Sequence, residues 1–379
     1  MDKAKKRLAF IDLYRGWAIL LMIETHIFNA LLSPALKATY GFKVLSFING
    51  LVAPSFLFIS GFAFAVASLR KIDQYRSYGF EFWRQLWRIL LIIIIGYSLG
   101  LPYLSLHKLL YKATPQELLP FLRVDVLQCI AVGLLFMFLL RIYIKSDKIY
   151  HYILIGVSVV LFMAAPAINK IDFAQYMPVY LANYINDMYG SLFPVFPWLA
   201  FMLPGATLGH YYLKLKQEGR EEELLNKLLL YSIIVFVISA VVLWSHLEIF
   251  AYLSSIKPGQ FFYAMRLAIV IMLLVIARIY EIRRQTEKSF VIDIGRESLL
   301  IYWLHLQVIY RVIWGGISLN RYVHGTFGVW ECVVATILLI LLMAICAYAW
   351  GQLKMRFLKP IQYATLGLIG TLVIMFLIK

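Results

Sequence analysis

Eleven apolar stretches dominate the chain, at residues 8–32, 45–69, 88–106, 121–141, 149–168, 194–213, 228–247, 261–280, 298–315, 328–350 and 360–378. Each is 18 to 25 residues long, and a helix needs about 20 residues to cross the hydrocarbon core of a bilayer. Backbone amides in lipid must be satisfied within the segment, so such stretches fold as helices. The expected fold is all-α: a polytopic membrane helix bundle of about 10–11 transmembrane helices, forming one integral-membrane domain over residues 1–379. Composition agrees, since only 15% of residues are charged against about 25% in soluble domains. The opening MDKAKKR runs directly into a full-length span without a small-residue cleavage pattern, so the first helix is expected to stay in the mature fold.

The net charge of +16 raises the question of nucleic acid, but its distribution answers it. With the spans above, 24 of the 36 Lys and Arg fall on one side, eight on the other and four inside spans. That is the positive-inside bias. It predicts a cytoplasmic N-terminus, an outer C-terminus and no nucleic-acid partner, with membrane lipids and an anionic cofactor as the partners of the basic loops. The location expected is a membrane, with the basic loops on its cytoplasmic face. Cys129, Cys332 and Cys346 all lie in spans and suggest neither a disulfide framework nor a metal site. No internal repeat is visible, which argues against an inverted-repeat transporter.

The first span is the unusual one. It carries Asp12, Arg15, Glu24 and His26, and each charge at membrane depth costs roughly 2.5 kcal/mol or more, so such groups face the protein interior and mark function. Arg15 and His26 are eleven residues apart, which returns them to within about 20° of one helix face and separates them by about 16 Å along the axis. One wall of one helix thus presents a cation near the inner surface and an imidazole near the outer one. Asp12 and Arg15, three apart, can pair. Glu24 points about 160° away from His26.

Other polar positions lie in later spans. Asn49, Pro54 and the Ser60-Gly61 pair mark the second as kinked or closely packed. Arg84 and Arg88 are four apart on one helical face, reading either as snorkelling anchors or as a phosphate clamp. Arg123 and Asp125, two apart near the outer end of the fourth span, would not face each other on a helix. The loop at 169–193, rich in Tyr, Asn and Asp, suits either interfacial anchoring or a sugar. Pro194, Pro197, Pro204 and Gly205 predict a broken helix. Arg266, His305 and Arg311 are further polar residues at depth.

A His of ordinary pKa about 6.5 is a ready general base. It could take a proton from a hydroxyl or amine as that group attacks an activated carbonyl. A cytosolic acyl-CoA supplies such a carbonyl, and its pantetheine arm is comparable in length to the gap from Arg15 to His26. The polyphosphate head would stay at the basic face near Arg84 and Arg88.

IDLYRGWAILLMIETH resembles the first-helix signature of the transmembrane acyltransferase superfamily, in which Asp, then Arg-Gly, then His eleven residues after the Arg recur. The chain also resembles bacterial members of the heparan-alpha-glucosaminide N-acetyltransferase catalytic family, related to the acyltransferase-3 family. The matching pieces are ING followed by APSFLFISGF, then LRVDVLQCIAVG, FPWLAFMLPGATLG and GRESLLIYWLH. The resemblance implies acetyl-CoA or another acyl-CoA as donor, a saccharide-type acceptor outside the cytoplasm and a bacterial inner membrane as the location; no metal site is evident in the sequence. It makes His26 the catalytic base and Arg15 a cofactor-side or structural cation, with Asp12 beside them. Arg84 and Arg88 join Arg15 as donor-binding residues, and Asn49, Arg123, Asp125 and His305 are candidates for acceptor binding. A homo-oligomer is compatible with this reading. Two departures stand out: the animal lysosomal enzymes have Asn in place of His26, and a His in place of Leu45. The acyltransferase-3 pair is also spaced three apart rather than four. An envelope saccharide rather than heparan is therefore the expected acceptor. The competing readings are a proton-coupled exporter of an envelope building block, with Asp12, Glu24, Asp125 and His26 as a relay, and a scaffold subunit.

Overall fold

The structure, a computed structural model, describes residues 8–69, 71–245, 259–284, 289–310 and 318–378. Arg311, His246 and the basic residues before position 8 lie outside that set. The principal helices are α1 (Ala9–Leu31), α2 (Tyr40–Asn49), α3 (Val52–Ser68), α4 (Phe80–Gly100), α5 (Val126–Tyr143), α6 (Asp147–Ile168), α7 (Met202–Gln217), α8 (Glu221–Trp244), α9 (Gln260–Arg284), α10 (Phe290–Arg296), α11 (Ser298–Tyr310), α12 (Val329–Arg356) and α13 (Leu358–Ile378). Among the described residues seven helical segments are long and apolar enough to cross a membrane, and there is no strand, only an isolated bridge between Leu32 and Phe327. The protein is an all-α integral-membrane protein. The chain divides into two compact units: Met1–Val52, Ser98–Phe121 and Tyr280–Lys379 make the first, and Ala53–Tyr97 with Leu122–Ile279 the second.

In the first unit α1 packs against α2, α10, α11 and α12. Ile19, Ile23, Ile27 and Leu31, spaced by four along one face, have no exposed surface, and Phe10 and Tyr14 are nearly as buried. Lipid is as apolar as these side chains, so their burial is held by close packing rather than by exclusion from water. Glycine makes the closest contact possible. A Cβ on Gly16 would lie 2.1 Å from the Val291 carbonyl oxygen, and one on Gly295 would lie 1.8 Å from that of Asp12. The glycines of IDLYRG and of GRES are therefore two halves of one interlock between α1 and α10. The ends of α1 are tied as well. Glu281 accepts the Ala9 amide at 3.0 Å. At the other end the Gly325 and Phe327 amides donate to the Ala30 and Leu31 carbonyls, satisfying groups a helix end leaves open.

In the second unit α3 and α7 approach through three glycines. A Cβ on Gly61 would meet the Met202 carbonyl at 2.0 Å, one on Gly205 that of Phe58 at 2.1 Å, and one on Gly209 that of Phe62 at 2.6 Å. The Pro-rich entry to α7 is broken, as its prolines require: a short helix, Val195–Trp198, and a 3-10 turn, Leu199–Phe201, precede Met202. The Ser158 hydroxyl donates to the Ala200 carbonyl at 2.8 Å, supplying a partner that the broken ladder lacks.

One boundary differs from the sequence expectation. The fourth span was read from residue 121, which put Arg123 and Asp125 on a helix, but α5 begins at Val126. Asp125 is its N-cap, accepting the Val126 amide at 2.7 Å, while Gln128 accepts the Asp125 amide at 3.3 Å. This is a capping box. Arg123, in a bend, and Asp125, in extended backbone, therefore precede the helix, where helical spacing says nothing of which way they face.

Candidate active site

His26 sits on α1 one turn before its tied end and is half-buried. Two residues of α11 surround it. The Tyr310 hydroxyl lies 3.4 Å from His26 Nδ1 and donates to the His26 carbonyl at the same distance. The His305 ring centroid is 5.3 Å from that of His26. His305 has no exposed surface, and its Nδ1 lies 2.7 Å from the Ile301 carbonyl oxygen. A carbonyl only accepts, so Nδ1 carries the hydrogen and Nε2 bears the free lone pair. That Nε2 is buried and has no hydrogen-bond partner among the described residues. Two imidazoles thus stand side by side, one reachable and one enclosed.

Glu24 faces elsewhere, as the helical angle requires. Asn49, at the end of α2, is the polar side chain within reach of its carboxylate. The approach falls short of hydrogen-bond geometry, and all four of these side-chain polar atoms are buried without such a partner among the described residues. Leu45, where the animal enzymes carry a His, lies one turn before Asn49 on α2.

Towards the start of α1, Asp12 is buried and its Oδ2 lies 3.7 Å from Arg296 Nε. Arg296 also approaches Asp293 at 3.6 Å, and the neighbouring Glu297 pairs with Lys354 at 2.5 Å. The sequence paired Asp12 with Arg15 by spacing. The structure adds Arg296, which follows the interlocked Gly295 and which no local pattern could connect to a residue 284 positions earlier. Tyr310 was likewise missed, being an ordinary aromatic in an aromatic-rich helix. Arg15 is half-buried on the wall it shares with His26.

The remaining candidates belong to the second unit. Arg84 is engaged: it pairs with Glu81, which also holds Lys71 at 3.1 Å, and its guanidinium lies 5.4 Å from the Phe80 ring centroid. Arg88, one turn on, is exposed. The loop at 169–193 spends its polar groups on itself and its neighbours. Asn183 donates to the Leu122 carbonyl, and Asn186 to those of Ile168 and Ile171. Tyr97 and Tyr184 share a hydrogen bond of 2.9 Å. Tyr189 donates to Asp172 at 2.8 Å, and this bond, with Gln175 and the Ala174 amide, holds the Asp172 carboxyl below the usual carboxylate range. These contacts hold the loop, while Tyr176 and Tyr180 stay exposed. Arg266 lies 4.1 Å over the Phe262 ring. Among the described residues no group of three or more His, Cys, Asp or Glu is placed to hold a metal ion.

Asp125 has a measurable structural duty. Asp125→Ala is expected to cost about 0.5–2 kcal/mol through loss of the N-cap, read as a lower thermal midpoint in detergent.

The fold and this polar first helix define a helical membrane protein. Residues 7–239 match the family described as heparan-alpha-glucosaminide N-acetyltransferase, catalytic. The match covers well over half of the chain, and the chain belongs to that family of membrane acetyltransferases. No curated protein matches it.

Proposed function

We propose that the protein moves an acyl group, most simply acetyl, from cytosolic acyl-CoA to a hydroxyl or amine of a saccharide-type acceptor outside the cytoplasm, with His26 as general base. The observation that carries this reading is the cluster of His26, near the end of α1, with His305 and Tyr310 of α11. In the proposed step His26 takes the acceptor's proton as the acceptor oxygen or nitrogen bonds to the thioester carbon. The carbon–sulfur bond then breaks, and the leaving thiolate takes the proton back from the imidazolium. Tyr310, at His26 Nδ1, orients the ring. His305, fully enclosed beside the His26 ring, is a positioning residue. Arg15 serves the donor side of the same wall. Arg88 is the better candidate of its pair for a donor phosphate, because Glu81 already occupies Arg84. A cytoplasmic N-terminus is the orientation the charge bias favours, and the resemblance to bacterial members of the family points to a bacterial inner membrane.

The test is donor binding. Radiolabelled acetyl-CoA should bind purified protein saturably, more weakly at high salt, and about tenfold more weakly in Arg88→Gln, the loss expected for one charge-assisted contact. Absence of saturable binding, together with proton-driven saccharide flux in proteoliposomes lacking any acyl donor, would overturn the reading in favour of transport.

A further inference from the structure

We infer that the acceptor is an amphiphile, a saccharide carried on a lipid phosphate, and that Lys37, Lys43 and Arg321 meet its phosphate at the outer end of the first unit. The inference rests on the acyl-transfer reading and on the orientation proposed with it, and it names the class of acceptor that reading leaves open.

Two segments gather at the end of α1, which closes at Leu31. One is the turn that leads into α2. The other is the stretch before α12, tied through Gly325 and Phe327 to the last carbonyls of α1 and through the Phe327 carbonyl to the Ser33 amide at 2.9 Å. Residues 29–49 and 319–331 together carry Lys37, Lys43 and Arg321 against one carboxylate, Glu331. The outer loop of the second unit, 169–193, has the opposite balance, Lys170 against Asp172 and Asp187. Lys and Arg concentrate on the cytoplasmic side of membrane proteins. An excess of them at the outer end of the unit that holds His26 therefore suits an anionic partner.

These cations are reachable. Lys43 and Arg321 are exposed. Lys37 is held in place: its Nζ donates to the Asn29 carbonyl at 2.7 Å, in solvent-exposed surroundings, and that bond uses one of the three N–H donors of an ammonium. Asn29 is exposed and lies three residues beyond His26, about 4.5 Å further along the axis. An ammonium thus stands about one turn outward of the imidazole, a gap that one sugar ring can bridge. Charge alone would suit a soluble acidic saccharide equally well, and α2 supplies the observation that separates the two. Tyr40, Val44 and Ile48, spaced by four and so on one face, are 81%, 45% and 42% exposed, and Lys43 borders them. An apolar stripe edged by a cation is the pattern of a helix against lipid near the headgroups. His26 lies five residues before the end of α1, about 7.5 Å below it. A saccharide tethered to lipid is delivered at that depth, whereas a free one must leave water to reach it.

Thermal unfolding of the full-length protein in dodecyl maltoside, with no acyl donor present, tests the inference. The probe is citronellyl phosphate, a short lipid phosphate without a sugar. It should raise the midpoint saturably, well above the effect of citronellol or of inorganic phosphate at the same concentration. Lys37→Gln and Lys43→Gln should each shift the half-saturating concentration upward about tenfold, the loss of one charge-assisted contact. Both side chains lie at the surface, so both variants should fold. An equal response to inorganic phosphate would overturn the inference in favour of a soluble anionic acceptor. An equal response to citronellol, no response at all, or a response undiminished in both variants would overturn it outright. Because no donor enters the measurement, its failure is separate from that of the acyl-transfer reading: saturable binding of the probe without any acetyl transfer would overturn that reading and leave the lipid-phosphate site standing.

Discussion

Replacing His26 by Ala is expected to lower acetyl transfer by about 10²- to 10⁴-fold, the contribution of a positioned general base. The loss should fall on kcat, with the KM for acetyl-CoA nearly unchanged, because the proposed reading assigns the donor's head to residues away from His26. The ring is half-buried at a tied helix end, so the variant should remain folded. Tyr310→Phe removes only the hydroxyl 3.4 Å from Nδ1 and should cost about tenfold, in line with one neutral hydrogen bond. His305→Gln removes the enclosed imidazole and should shift the pH–rate profile as well as lower kcat. A variant that lost activity only by misfolding would leave the pH profile of its residual activity in place. Steady-state rates on protein that elutes as a single peak in detergent decide among these outcomes.

The second large effect lies in the interlock of α1 and α10. Gly295→Val should prevent accumulation of folded protein, and Gly16→Ala should lower the thermal midpoint sharply. In both, the added carbon would collide with backbone, 1.8 Å and 2.1 Å from a carbonyl oxygen. Backbone cannot rotate aside as a side chain can, so the cost should exceed the roughly 1–3 kcal/mol of ordinary overpacking. It should also carry Arg296 away from Asp12. Gly156→Ala is the control: an added carbon there meets nothing within 4 Å, and Ala in a helix interior gains about 0.5–1 kcal/mol over Gly. Midpoints of the three variants in one detergent check the order.

The helices were legible because lipid leaves the backbone little choice, and α1 ends within a residue of the apolar run that announced it. The start of α5 was not, because Phe121 to Cys129 looks like one apolar run with two charges in it. The overlooked signal was Asp125 followed three residues later by Gln128, a capping box in plain view. In the site, His26 and Arg15 stood out because charge is costly at membrane depth. Tyr310 and Arg296 did not, since each acts on α1 from far along the chain and neither has a local pattern. The glycines of the matched motifs were visible, but only coordinates tell which carbonyl each one admits.

The most direct test follows the acyl group itself. Purified protein should be given acetyl-CoA labelled in the acetyl group together with a saccharide bearing free hydroxyl and amine groups, and the saccharide analysed by mass spectrometry. Label in the saccharide with the wild-type protein, and none with His26→Ala, is the expected result. Label that reaches the saccharide equally well without the imidazole would contradict the role assigned to the first helix.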